Sequence, residues 1–114
     1  EDKDLPFPIK RIFYVFGVKG QDDRGRHSHY ETKQVLICLK GKIKVNCDDG
    51  KKRRQWILED PQKALYIPEM IWDEQIYTSE DSILLVLANT EYDIEDYIED
   101  YEKFKELKND EKRR

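Results

Sequence analysis

Both histidines of the 114-residue chain fall in one short run, Arg24-Gly25-Arg26-His27-Ser28-His29. On an extended strand, residues two apart project from the same face, so this spacing predicts two imidazoles converging on one side of a sheet. Imidazole has an ordinary pKa of about 6.5, so such a pair can take up and release protons at neutral pH without a cofactor. The competing reading is two exposed polar residues on a strand. Placing every histidine of the chain side by side, directly after Arg-Gly, favours a site, because convergent titratable groups mark functional positions. Asp73 could join them in a two-histidine, one-carboxylate set of the kind that holds non-haem iron, so a metal-dependent reading stands beside the metal-free one.

The histidines need strands to carry them, and the flanking sequence supplies strand signals. Ile9 to Val18 is rich in β-branched and aromatic residues and ends at Gly17, which predicts a strand followed by a loop. Gln21 to Gly25 reads as a polar connection. His27 to Leu39 reads as one extended run whose second half, from Gln34, is apolar enough for burial on both faces. Lys42 to Val45 alternates with the period of a half-exposed strand, and Asp49-Gly50 suits a tight hairpin turn. Gln55 to Leu58, Ala64 to Ile67, Ile71 to Tyr77 and Ser82 to Ala88 follow as strands, with Pro68 ending the second of these. Short strands joined by Gly, Pro and Asp turns predict an all-β sandwich or barrel. From Ile94 the apolar residues recur at three and four through Leu107, which predicts a helix over 93–107, capped by Thr90 or Asp93. The Tyr-rich stripe of that helix reads as a packing surface. A barrel over 1–92, the helix over 93–107 packed on it and a frayed tail over 108–114 make one domain.

Composition narrows the function classes. Charged residues make up 40% of the chain and the net charge is −4, which argues against a nucleic-acid partner that needs a basic face. The cluster Lys51-Lys52-Arg53-Arg54 follows the hairpin turn and reads as its solvated end. No apolar run is long enough to span a bilayer, and no signal segment opens the chain. Cys38 and Cys47 lack metal-ligand spacing and look like small core residues, which suits the reducing cytoplasm. A hydrophobic content of 38% is lean for a monomer and points to a second subunit.

Gly25, His27, His29, Gln34 and Gly41 resemble the first motif of the cupins, in which two histidines, a glutamate and a glycine line a jelly-roll barrel. Pro68-Glu69-Met70-Ile71-Trp72-Asp73 echoes the second, with Met70 at its glycine position and Asp73 at its histidine position. With Gln34 and Asp73 at two of the four metal-ligand positions, the resemblance implies the barrel more than the metal. A closer resemblance is to the WxcM-like nucleotide-sugar 3,4-ketoisomerases. It rests on Leu5 to Arg11, Arg24 to His29, Gln34 to Gly41, Asp48-Asp49-Gly50, Ile71 to Glu74, Val86-Leu87-Ala88 and Tyr92-Asp93 with Asp96-Tyr97-Ile98. That family carries an Asp-x-Arg-Gly segment before the Leu-Pro-Phe stretch. This sequence opens at Glu1 without it, which points to a missing N-terminal strand.

The resemblance implies an all-β, cupin-type jelly-roll barrel with a short C-terminal helix, dimeric, using no metal or other cofactor. It implies a dTDP-linked keto-sugar substrate and a role in making deoxyamino sugars of bacterial surface glycans. It makes His27 the base that takes the proton from sugar carbon 3 and His29 a helper in moving it. Arg24, Tyr14, Gln34, Trp72 and Asp73 would contact substrate, Arg24 through an enolate oxygen or the diphosphate. The position of Asp73 would bear on the face from which carbon 4 is reprotonated. A cupin that binds the sugar nucleotide without turning it over is the remaining alternative.

Overall fold

The computed structural model describes residues 5–19 and 23–112. Nine strands are found among them: β1 (Arg11–Val15), β2 (Asp23–His29), β3 (Gln34–Lys40), β4 (Ile43–Asp48), β5 (Arg53–Leu58), β6 (Leu65–Ile67), β7 (Trp72–Tyr77), β8 (Ile83–Ala88) and β9 (Tyr97–Ile98), followed by helix α1 (Tyr101–Lys112). They form a four-stranded sheet in the order β1-β8-β3-β6 and a five-stranded sheet in the order β5-β4-β7-β2-β9. Every strand pair is antiparallel. Such a two-sheet barrel with a C-terminal helix is the architecture that the cupin resemblance implies.

Alternation along the strands sorts the side chains. Phe13, Val15, Leu36, Cys38, Leu84 and Val86 of one sheet meet Ile43, Val45, Leu58 and Tyr77 of the other in a single apolar core. The second face of the four-stranded sheet is partly apolar as well: Phe7 packs on Val35 and Leu87, while Ile12 and Tyr14 stay exposed.

Two stretches differ from the sequence expectation. The run from His27 to Leu39 is two strands in different sheets, and the polar connection placed over 21–25 gives way to strand from Asp23. The crossing at 30–33 is pinned by Asp96. Its carboxylate accepts from the N–H groups of Glu31 (2.9 Å) and Thr32 (3.1 Å) and from the Thr32 hydroxyl, and its carbonyl accepts from Tyr30 N–H at 3.0 Å. These bonds satisfy backbone that leaves one ladder before joining the next.

The helix placed over 93–107 is the other correction. Asp93 caps a 3₁₀ turn over Ile94–Asp96, accepting from Glu95 N–H at 3.0 Å; Tyr97 and Ile98 then pair with β2, and the α-helix runs from Tyr101 to Lys112. Asp100 caps it, accepting from Glu102 N–H at 2.9 Å. Ile98 reaches the apolar cluster of Trp72 and Phe104 from a strand, so the spacing of three and four carried on across a break in the helix. Residues 108–112, expected to fray, are helical. Thr90 caps nothing; its hydroxyl bonds to that of Thr32 at 2.7 Å.

Candidate active site

A bulge aims the first histidine. Gly25 pairs with Glu74 and His27 with Asp73, leaving Arg26 as an extra residue between them. Gly25 and Arg26 both take positive φ, 80° and 51°, the left-handed backbone that the first position of such a bulge assigns to glycine. A Cβ on Gly25 would also lie 3.3 Å from the Asp73 carbonyl oxygen. The glycine before the histidines is therefore a backbone requirement.

The His27 ring is fixed by the same turn. Its Nδ1 lies 2.7 Å from the Gly25 carbonyl oxygen, which can only accept, so Nδ1 carries a proton and, in the neutral ring, Nε2 keeps the lone pair. Nε2 stands 4.0 Å from Asp73 Oδ1. The His29 ring lies beside it, centroids 4.8 Å apart and edge to face at 85°. Because β9 sets Tyr97 opposite His29, the Tyr97 ring packs on both imidazoles, 5.0 Å from His27 and 4.5 Å from His29.

Burial pushes the His29 pKa down to about 4; the nearby His27 adds to this, Asp96 opposes it and Arg11 reinforces it. His29 is therefore neutral at pH 7, and its Nε2 is buried with no hydrogen-bond partner among the described residues. Asp73 is 2% exposed, and burial raises its carboxyl pKa against the pull of His27 and Gln75. A chain of polar groups lies behind it: Tyr77 hydroxyl donates to Gln75 Oε1 at 2.9 Å, and Gln75 Nε2 donates to Asp73 Oδ2 at 3.2 Å. In front of His27 lies a cavity of about 180 Å³ lined by Phe13, Val15, Gln34, Gln75, Val86 and Tyr97. A larger opening of about 280 Å³ between β5 and β6 carries Lys52, Arg54, Trp56 and Tyr66 but no imidazole, so proton chemistry belongs to the smaller one.

The structure thus brings His27, His29, Gln34 and Asp73 together inside the barrel. Arg24 stands in β2 opposite Gln75, and its side chain lies outside the described part of the structure. Tyr14 and Trp72 do not join the site. Tyr14 is 58% exposed on the outer face, because the inward places on β1 go to Arg11, Phe13 and Val15. Trp72 alternates with Asp73 on β7 and faces α1, where it packs on Tyr101 and Phe104 at 5.2 and 5.9 Å. His27, His29 and Asp73 are not arranged as a metal-binding triad: among the described residues no group of three His, Cys, Asp or Glu side chains is. Tyr97, Gln75 and Arg11 are the residues missed from sequence. Tyr97 was assigned to a helix stripe, and the even spacing of Asp73, Gln75 and Tyr77 was the available signal for Gln75.

Comparisons with known proteins agree with this fold. A TDP-4-oxo-6-deoxy-α-D-glucose-3,4-oxoisomerase of Aneurinibacillus thermoaerophilus is 42% identical over 105 residues, covering 92% of this chain and 76% of that protein. A TDP-fucose-3,4-ketoisomerase from Campylobacter jejuni superposes with a TM-score of 0.89 at 45% identity, over 92% of this chain and 78% of that one. A sugar 3,4-ketoisomerase from Thermoanaerobacterium thermosaccharolyticum, solved with TDP, gives 0.92 at 37% identity, over 96% and 80%. The model of the WxcM-like, C-terminal (FdtA) family matches residues 1–109, and the chain belongs to that family.

Proposed function

We propose that the chain is a sugar-nucleotide 3,4-ketoisomerase that converts dTDP-4-oxo-6-deoxyglucose to a dTDP-3-oxo-6-deoxyhexose. The observation that carries this reading is the His27 ring, with Nδ1 tied to a carbonyl and Nε2 free to act as base beside a neutral His29. The ketone at carbon 4 acidifies the hydrogen on carbon 3. Nε2 of His27 takes that proton, and the bonding pair becomes the carbon 3–carbon 4 double bond of an enediolate, with charge on the carbon 4 oxygen. Return of a proton to carbon 4, and transfer of the hydroxyl proton from the carbon 3 oxygen to the carbon 4 oxygen, leaves the ketone at carbon 3. No atoms are gained or lost. His29, whose Nε2 has no hydrogen-bond partner among the described residues, serves the second transfer.

The cavity of about 180 Å³ is below the size of ordinary pockets for larger ligands, roughly 300 Å³ and more, so a single sugar ring enters and the nucleotide stays at the mouth. Gln34, buried in the wall, contacts the sugar. A second copy of the chain is the partner that suits the outer face of the four-stranded sheet, where Ile12, Tyr14 and Tyr66 are exposed in line with Val35, Leu85 and Leu87. The cytoplasm suits two unpaired thiols, Cys38 and Cys47. No helix among the described residues is long and apolar enough to cross a membrane.

The test is incubation with dTDP-4-oxo-6-deoxyglucose in deuterated water, followed by NMR of the sugar. Conversion to the 3-oxo sugar with solvent deuterium at carbon 4 is expected, with deuterium at carbon 3 of the 4-oxo substrate that remains. In His27→Asn, exchange at carbon 3 should fall by about 10²–10⁴-fold while TDP still binds. Undiminished exchange in that variant removes His27 as the base, and a wild-type chain that binds TDP without exchange is a binding protein only.

A further inference from the structure

The mechanism above leaves one charge unanswered. When carbon 3 loses its proton to His27, a negative charge grows on the carbon 4 oxygen; His29 is neutral, and the new charge on the His27 ring sits at Nε2, which faces carbon 3 and Asp73. An anion forming in a dry cavity needs a fixed donor or cation close by. Resting on the ketoisomerase reading, we propose that Arg11 holds this oxygen and stabilises the enediolate.

The backbone register places Arg11 there. Arg11 pairs with Ala88 on β8, and Ala88 pairs with Gln34 on β3, so the three stand in one row across the sheet. Ala88 is completely buried and has the smallest of the three side chains, which leaves a gap between the arginine and the glutamine. Arg11 has the parity of Phe13 and Val15, both of which line the cavity with His27 and Gln34. The Arg11 side chain therefore leaves β1 on the same side as Phe13 and Val15, at the end of the row that Gln34 closes, and its charge disfavours protonation of His29.

What holds Arg11 is also informative. Its guanidinium carbon lies 5.1 Å from the Phe13 ring centroid and 5.7 Å from that of Tyr92. Aromatic faces steady a cation without neutralising it. Its Nε is buried and has no hydrogen-bond partner among the described residues. A buried N–H with no acceptor costs free energy that an arriving acceptor recovers. The nearby carboxylate, Asp96, is already engaged by Glu31 and Thr32. Arg11 is thus poised as an oxyanion donor whose partner is brought by the substrate.

The experiment compares wild type, Arg11→Met and Arg11→Lys, each checked for folding by circular dichroism. It measures kcat and KM with dTDP-4-oxo-6-deoxyglucose and the Kd of TDP by calorimetry. Methionine keeps much of the length and apolar contact but removes charge and donors. Its kcat should fall by about 10²–10³-fold, the usual effect of losing an oxyanion donor. TDP affinity should stay within about twofold, since a group engaged only as the reaction proceeds leaves ground-state binding alone. Lysine keeps the charge but not the planar fork, so about a tenth of the wild-type kcat is expected. Wild-type kcat in a folded Arg11→Met chain overturns the inference. So does retained kcat with TDP affinity lost, which would put Arg11 on the diphosphate. Should the methionine variant not fold, lysine decides: full kcat there overturns it. A wild-type chain without isomerase activity removes the underlying reading instead, so the two failures are told apart.

Discussion

The two ends of the barrel are made by the same strands and differ in everything that packs between them. At one end Ile43, Leu84 and Tyr77, all without exposed surface, meet Leu58 and Cys38. At the other, a few residues along the same strands, the inward places belong to His27, His29, Gln34, Asp73 and Gln75. Tyr77 marks the border, its ring in the apolar core and its hydroxyl on Gln75. The apolar end supplies burial without specificity of charge. The polar end buries His29 and Asp73, and burial lowers the pKa of the first and raises that of the second. Stability and chemistry should therefore respond separately to changes at the two ends.

Ile43→Ala tests the apolar end and should give the largest stability effect. Ile43 is completely buried between Tyr77 and Leu58, its register partners on either side. Removing the side chain should destabilise the chain by about 4 kcal/mol, the sum of lost transfer energy and a cavity the sheet cannot close. Urea unfolding reads this as a lower midpoint at constant slope. Below the unfolding transition, kcat should stay near wild type. A parallel loss of activity in the folded variant would mean that the two ends are not separable.

His29 should give the next effect, through pH. Its pKa is 6.5 when unfolded and about 4 when folded. The unfolded chain therefore binds a proton that the folded chain refuses between those values. This contribution is whole above pH 6.5 and is lost as pH falls toward 4. At 1.36 kcal/mol per pH unit the gap amounts to about 3 kcal/mol. Carboxylates titrate in the same range, so the measurement is the difference in unfolding free energy between wild type and His29→Asn at pH 7 and pH 4. The variant should lose about 3 kcal/mol less on acidification. Equal slopes would place the His29 ring in water.

The sequence made this comparison only half visible. Alternation and turn residues located seven strand runs, one of which proved to be two strands, and two histidines two apart on that run put both rings in the barrel. Their aim depends on a bulge at Gly25 and Arg26, where one extra residue shifts the pairing, and nothing in local spacing distinguishes such a shift from regular strand. Tyr97 was hidden for a related reason. Tyr97, Ile98 and Tyr101 satisfy helical spacing, yet the first two are a strand because β2 offers Ser28 and His29 an open edge to pair with. The family resemblance implies Tyr14 and Trp72 as substrate contacts, and strand parity sends both the other way. Arg11 differs from both: alternation along β1 puts it with Phe13 and Val15, but residue type alone does not say where the end of so long a side chain comes to rest.

Asp73→Asn should give the smallest effect on stability, and one of opposite sign. The groups around Asp73 are His27 on β2, Cys47 opposite it on β4, and Glu74 and Gln75 on its own strand. Burial dominates and raises its pKa above the ordinary 3.8, so the folded chain holds a proton that the unfolded chain releases. The stability tied to that proton is present at low pH and is lost as pH rises through the folded value. An asparagine removes the cost while still accepting from Gln75, so the variant should be more stable than wild type by about 1 kcal/mol at pH 8 and no more stable near pH 4. Turnover should move the other way, falling about tenfold, because Oδ1 faces the ring nitrogen of His27 that becomes protonated, and a carboxylate steadies an imidazolium where an amide does not. Thermal unfolding at both pH values, with kcat at the higher one, tests both halves. A variant less stable at pH 8 would mean that Asp73 is ionised and fully satisfied in the barrel, and the polar end would then be as settled in its packing as the apolar one.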